Sequence, residues 1–148
     1  MERSKKSLLL IEDDPNDVAL FRRAARKAGL AVEILNAEDG DAAVRFLGDR
    51  AEPSAENAIS LPWIVLLDLK MPKKSGLEVL EWMRGQPRLR RLPVIIFTSS
   101  RESSDIARAY DLGANSYLVK PVSFDQLKEM VRDVNHYWLD LNENPQGN

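Results

Sequence analysis

Short, continuously apolar runs alternate along this chain with longer segments in which apolar residues recur every three or four positions. Leu8 to Ile11, Ile64 to Leu67 and Val94 to Phe97 are unbroken, as strands covered on both faces by helices are. Val32-Glu33-Ile34-Leu35 admits a charge, and Ser116-Tyr117-Leu118-Val119 is short with a polar start, so both suit the edge of a sheet. Five strands separated by helical periods predict βαβ units on a parallel sheet, with the second and fifth strands outermost.

The ends of the helical segments support that alternation. Asp14-Pro15 offers a capping acid and a proline at the first helical position, and Gly29 closes the segment after Val18, Phe21, Ala25 and Ala28. A shorter helix opens at Asp39-Gly40 with Ala43, Val44 and Leu47 inward. Ser75 followed by Glu78 is a capping box for a third helix carrying Leu77, Leu80 and Met83. A fourth runs from Ser103 through Ile106 and Tyr110 to Gly113. The fifth begins at Ser123 with Gln126 as cap partner, and places Phe124, Leu127, Val131, Val134, Trp138 and Leu141 on one stripe.

Two stretches break the pattern. Residues 48–62 are polar and contain Pro53 and Pro62, which predicts an exposed loop; residues 142–148 read as a frayed tail. Neither divides the chain, so 148 residues are expected to form one domain, with a core over about 7–134 and a helix continuing to about 141. No apolar run approaches the ~20 residues that span a bilayer, and acids interrupt the first strand too early for a secretory leader. The expected location is therefore the cytoplasm, away from membrane. A chain without cysteine has no disulfide and no thiolate chemistry, and a net charge of -2 gives no basic field for nucleic acid.

In a parallel sheet all strands end at one edge, where ligands bind. Here the first strand ends in Glu12-Asp13-Asp14, the third in Asp68, the fourth in Thr98-Ser99-Ser100 and the fifth in Lys120-Pro121. Each has a plain explanation alone, as a cap, a turn residue, a β-former or a loop. Together they bring three or four carboxylates, hydroxyls and one ammonium to a single edge. Carboxylates so close repel one another unless a proton or a cation intervenes. An all-oxygen set suits Mg²⁺, and Asp68 then becomes a nucleophile toward phosphorus, with Lys120 and Thr98 available to phosphoryl oxygens.

The motifs Glu12-Asp13, Asp68-Leu69-Lys70-Met71-Pro72, Thr98-Ser99, Gly113-Ala114 and Tyr117-Leu118-Val119-Lys120-Pro121 resemble, in order and spacing, the receiver domain of two-component response regulators. The resemblance implies a flavodoxin-like α/β fold, a three-layer sandwich with sheet order 2-1-3-4-5. It implies Asp68 as phosphoacceptor, Asp13 as direct metal ligand, Glu12 as an acid reaching the metal through water, and the Lys70 backbone carbonyl as a further ligand. Thr98 and Tyr117 become switch residues, Lys120 the bridge to Asp68 or its phosphate, and the Lys120-Pro121 bond cis. Asp14 is an extra acid, assigned to the helix cap. The implied donor is a sensor histidine kinase, and the chain itself is not an enzyme beyond its own phosphoryl transfer and autodephosphorylation. The polar loop, Lys73-Lys74 and the extended last helix are similar to standalone regulators paired with bacterial phytochromes, which implies a bacteriophytochrome as partner and no DNA-binding domain.

Two other readings fit the same topology. An aspartate-nucleophile phosphatase needs a second acid two residues after Asp68, where this chain has Lys70; a flavin or phosphate module needs a glycine-rich loop where it has Glu12-Asp13-Asp14-Pro15. Arg84, Arg88, Arg90 and Arg91 read as a solvated basic connection. Tyr137-Trp138-Leu139 would expose apolar surface unless covered, which predicts a homodimer through the C-terminal helix, with folding back onto the chain's own surface as the alternative.

Overall fold

The computed structural model describes residues 6–51 and 61–146. Its strands are β1 (Ser7–Ile11), β2 (Glu33–Ala37), β3 (Ile64–Leu67), β4 (Val94–Thr98) and β5 (Ser116–Val119). Its helices are α1 (Pro15–Lys27), α2 (Gly40–Ala51), α3 (Gly76–Gly85), α4 (Ser103–Asp111) and α5 (Phe124–Val134). The strands form one parallel sheet of order β2-β1-β3-β4-β5, the flavodoxin-like arrangement, with the two strands of mixed pattern at its edges.

Alternate residues of each buried strand feed opposite faces, so the sheet has two cores. Leu9, Ile11, Val65, Leu67 and Ile96 pack with Leu47 of α2, Leu80 and Met83 of α3 and Ala109 of α4. Leu8, Leu10, Leu66, Ile95 and Phe97 pack with Phe21 and Ala24 of α1 and Leu127 and Val131 of α5. The capping chemistry forms as expected: Asp14 accepts from the Asn16 amide at 2.8 Å, Ser75 from Glu78 at 3.3 Å and Ser123 from Gln126 at 3.1 Å. Gly29 and Gly113 turn the chain with φ of +73° and +103°, where a side chain would be strained.

Several expectations need correction. α2 runs on through Gly48 to Ala51, so the loop begins later than residue 48; its residues 52–60 lie outside the described part. The last helix leaves α geometry at Asn135 and continues to Leu141 as a π-helical turn, closed by the Asn142 amide on the Tyr137 carbonyl at 2.7 Å. The wider turn changes which residues face inward. Leu139 is buried, Trp138 is half-buried and Leu141 is 60% exposed, because five residues rather than four now separate Val134 from its successor. Residues 142–146 are not frayed: Asn144 donates to the Trp63 carbonyl at 2.8 Å and Gln146 to that of Pro62 at 2.5 Å.

Arg84 is not a solvated residue of a basic run. Its guanidinium donates to the carbonyls of Gly113 at 2.8 Å, Leu89 at 3.0 Å and Leu92 at 2.9 Å, and to the Asn115 side chain at 3.0 Å. It thereby ties the end of α3 to the connections entering β4 and β5. Arg88, Arg90 and Arg91 are exposed as expected. The Lys120-Pro121 bond is trans, like every peptide bond described, and not cis. The trans form is intrinsically preferred before proline by about 0.5–1 kcal/mol, and with it Lys120 still joins the sheet while its side chain enters the acidic edge.

The fold sets one tight limit on the site. The Gly76 amide donates to the Leu69 carbonyl at 3.0 Å, and a Cβ on Gly76 would lie 2.1 Å from the Asp68 carbonyl oxygen. Backbone cannot yield there as a flexible side chain could. Gly76→Ala should therefore cost about 3 kcal/mol or more, whereas Gly85→Ala, with nothing within 4 Å of its added Cβ, should be neutral or stabilising by about 0.5 kcal/mol. Urea denaturation of the two variants checks the contrast.

Candidate functional site

The carboxyl ends of β1, β3, β4 and β5 are fixed by backbone hydrogen bonds that extend the sheet by one residue. The Glu12 amide donates to Ala37 at 3.0 Å, the Asp68 amide to Ile11 at 3.0 Å and the Lys120 amide to Thr98 at 2.8 Å. Their side chains therefore leave the sheet from positions as rigid as the strands themselves. Glu12, Asp68 and Thr98 are buried at 2%, 7% and 1% exposure, and Asp13 is exposed at the rim.

Oxygens of Glu12, Asp13 and Asp68 all lie within 4.8 Å of one another. The Asp14 carboxylate serves the helix cap, and its amide donates to Glu12 Oε2 at 3.0 Å, so the structure separates the three consecutive acids into two at the cluster and one outside it. The Lys120 ammonium reaches in from the far side of the sheet, donating to Glu12 Oε1, to Asp17 Oδ2 at 2.8 Å and to Asp68 Oδ2 at 3.1 Å. Asp39 is also buried, but it caps α2 through the Ala42 amide at 2.7 Å, and that bond holds its carboxyl below the usual range.

Burial pushes the Glu12 carboxyl up to about 7 despite its bond to Lys120, and the nearby Asp68 charge adds to the rise. Burial by itself would lower Lys120, but its hydrogen bonds to Asp17 and Glu12 and the charge of Asp68 outweigh it and hold the ammonium above the ordinary lysine range. Three carboxylates, those of Glu12, Asp17 and Asp68, thus share one ammonium, and Asp13 stands beside them without it. The remaining negative charge, on hard oxygen donors with no sulfur or imidazole among them, fits a hard divalent cation.

On the other side of the site, Tyr117 donates its phenol proton to the Ser100 carbonyl at 2.9 Å, and burial raises its ionisation above the ordinary range. The Ser100 hydroxyl donates to Asp105 of α4 at 2.6 Å. Lys70 has an exposed side chain, and its amide approaches Asp68 Oδ1 at 3.4 Å. Asp17 was not legible as a site residue: in the first turn of α1 an acid reads as a complement to the helix dipole. Only the position of Lys120 gives it another role.

A parallel sheet of this order with an acidic cluster, hydroxyl and lysine at its carboxyl edge defines a phosphoryl-accepting signalling domain. The chain belongs to the response regulator receiver domain family, whose model matches residues 8–132. The probable methanogenesis regulatory protein FilR2 of Methanothrix harundinacea is 41% identical over 93% of this chain and 86% of its own length. Response regulator Rcp1 of Synechocystis is 36% identical over 91% of this chain and 90% of its own. Its Mn²⁺-bound crystal structure covers 95% of this chain and 99% of that one with a TM-score of 0.81 and 34% identity. The crystal structure of the phosphorylated cyanobacterial phytochrome response regulator RcpA covers 96% and 99% with a TM-score of 0.84 and 34% identity. The chain is thus a response regulator, and the phosphatase and flavin readings are not favoured. Receiver domains bind a divalent metal in their acidic pocket, interact with histidine kinases and are mostly not enzymes. No helix among the described residues is long and apolar enough to cross a membrane.

The raised Glu12 carboxyl has a thermodynamic consequence. Its folded value of about 7 exceeds the ordinary value of 4.5, so the folded state binds this proton more tightly than the unfolded one. The stability it confers is complete below pH 4.5 and is lost as pH rises through 7, up to about 3 kcal/mol in all. Lys120 stays charged throughout that window and contributes no slope. Without divalent ion, Tm should fall across pH 4.5–7 more for the wild type than for Glu12→Gln, and added Mg²⁺ should raise wild-type Tm more at pH 8 than at pH 5. Thermal melts at matched ionic strength check both.

Proposed function

We infer that the chain accepts a phosphoryl group on Asp68 from a phosphohistidine of a sensor histidine kinase, and signals by a change of its own surface. What supports this most is the Lys120 ammonium 3.1 Å from Asp68 Oδ2 beside a cluster of two buried acids and one at the rim, an arrangement with a nucleophile and a cation both facing the place where a phosphoryl group would arrive. Asp68 Oδ attacks phosphorus, the P–N bond breaks, and the imidazole leaves with the electron pair. Lys120 donates to a phosphoryl oxygen as charge spreads over it. Asp13, Asp68 and the Lys70 carbonyl, with Glu12 behind them, would hold Mg²⁺, which when bound offsets the negative charge of the incoming group. Thr98 supplies a hydroxyl to the phosphoryl group, and Tyr117 changes rotamer in response.

The product is a state of the protein, so the chain is read as no enzyme beyond its own transfer and dephosphorylation. The residues 7–134 act as one receiver domain in the cytoplasm, with no part in binding nucleic acid or membrane. The likeness to a phytochrome response regulator supports a phytochrome-type kinase as donor. Incubation with acetyl phosphate and Mg²⁺ should add the mass of one phosphoryl group to the intact chain and none to Asp68→Asn; an unmodified wild type, or a modified Asp68→Asn, defeats the reading.

The C-terminal extension is read as a homodimer contact. Tyr137 and Leu141 are 53% and 60% exposed, and Trp138 lines a groove of about 540 Å³ with Leu118, Met130 and Val134. Tyr137→Glu should lower the sedimentation coefficient from that of a dimer to that of a monomer without lowering Tm, since the residue is outside both cores.

A further inference from the structure

The Lys120 ammonium has three protons to donate, and three carboxylates take them: Glu12, Asp17 and Asp68. Two of these are buried members of the acidic cluster. Asp17 is different. It stands in the first turn of α1, it is 37% exposed at its side chain, and at 2.8 Å it lies closer to the ammonium than Asp68 at 3.1 Å. It is outside the three acids whose oxygens converge, and among the described residues its side chain bonds only Lys120.

We propose that Asp17 is a positioning residue that competes with the phosphoryl group for Lys120 and so slows phosphorylation of Asp68. The inference rests on Asp68 being the acceptor. Before transfer, every proton of the ammonium is engaged, and a phosphoryl oxygen can be bonded only when one carboxylate gives up its share. Asp68 is the group being modified and Glu12 is held inside the site, so the bond to yield is that of Asp17. Its carboxylate also sets a further negative charge beside the path of an anionic donor. Both effects stabilise the unphosphorylated arrangement over the transition state. Neither requires Asp17 to touch the phosphoryl group.

The reaction to follow is transfer from acetyl phosphate at saturating Mg²⁺, in which Asp68 Oδ attacks phosphorus, the P–O bond to the acetyl group breaks and acetate leaves with the electron pair. Asp17→Asn should phosphorylate about three- to tenfold faster than wild type, the span expected for one charge-assisted hydrogen bond, and Asp17→Glu should stay close to wild type. A gain in rate cannot come from misfolding. Two comparisons separate competition from bulk charge. Asp14→Asn removes the same charge from the same turn, keeps a good helix cap and touches no lysine, so its rate should stay near wild type. In a Lys120→Met background Asp17→Asn should change nothing. A second readout needs no phosphoryl transfer: in metal-free protein the Lys120 ammonium should give a ¹H–¹⁵N signal protected from exchange with water, and Asp17→Asn should lose that protection.

The proposal is overturned by an Asp17→Asn rate equal to or below wild type, by equal acceleration in Asp14→Asn or without Lys120, or by an unchanged ammonium signal. A wild type that takes no phosphoryl group defeats the acceptor reading itself, whereas a phosphorylated wild type matched by Asp17→Asn defeats only the role of Asp17.

Discussion

Three carboxylates converge at the end of this sheet with one ammonium that a fourth also holds, and the charge they leave uncompensated is the constraint on which the rest depends. In an apolar interior such a cluster would repel itself apart or take up protons. The protein holds it by fixing the backbone of the two buried acids and of the lysine: the amides of Glu12, Asp68 and Lys120 are bonded to neighbouring strands. The price of that rigidity is a buried Glu12 carboxyl at about 7, a site that near neutral pH is poised between holding a proton and holding a cation. The two cores stay conventional; strain of electrostatic origin is confined to one edge.

Placing the cluster at that edge needs only the parallel sheet, which explains why so much was legible in the sequence. Unbroken runs such as Ile64 to Leu67 can only be strands covered on both sides, and once five strands are parallel their ends must meet. Asp68, Glu12 and Lys120 follow from counting to those ends. Caps are equally local, so Asp14, Ser75 and Ser123 do what their neighbours in sequence predict. What could not be read depends on contacts remote in sequence. Arg84 looked like one of four basic residues because nothing local announces that carbonyls of Leu89, Leu92 and Gly113 converge on it. Asp17 drew no reading at all, because its partner is 103 residues away.

The C-terminal helix shows a failure of another kind. Its period was extrapolated, and a single π-helical turn was enough to move every later residue around the axis, so Leu139 entered the core that Trp138 and Leu141 were expected to fill. Lys6 donates to the Leu139 carbonyl at 2.6 Å, and Asn144 and Gln146 reach the chain entering β3. These bonds anchor the end of the chain beside the amino-terminal side of the sheet, opposite the acidic edge. The extension is thereby part of the domain's body, while the aromatic side chains it leaves outward are fixed in direction.

A signal from the acidic edge has a short physical route to the α4–β5 face. Thr98 ends β4, and two residues later Ser100 joins three elements: its hydroxyl donates to Asp105 in α4, its carbonyl accepts from Tyr117 in β5, and the Glu102 amide donates to its hydroxyl at 3.3 Å. Thr98 and Tyr117 need no direct contact to be coupled, because a displacement of the Thr98 end toward a phosphoryl group would shift the Ser100 carbonyl that holds the phenol. The tie also explains why α4 is suited to respond. Its N-terminus lacks a side-chain cap of its own and buries only Ala109 deeply, so the bond from Ser100 to Asp105 is a large part of what fixes its first turn. Arg84, by contrast, clamps the opposite end of the same helix to α3 through Gly113. One end is held by a guanidinium and the other through a single serine, so the first turn of α4 is the less tethered of the two.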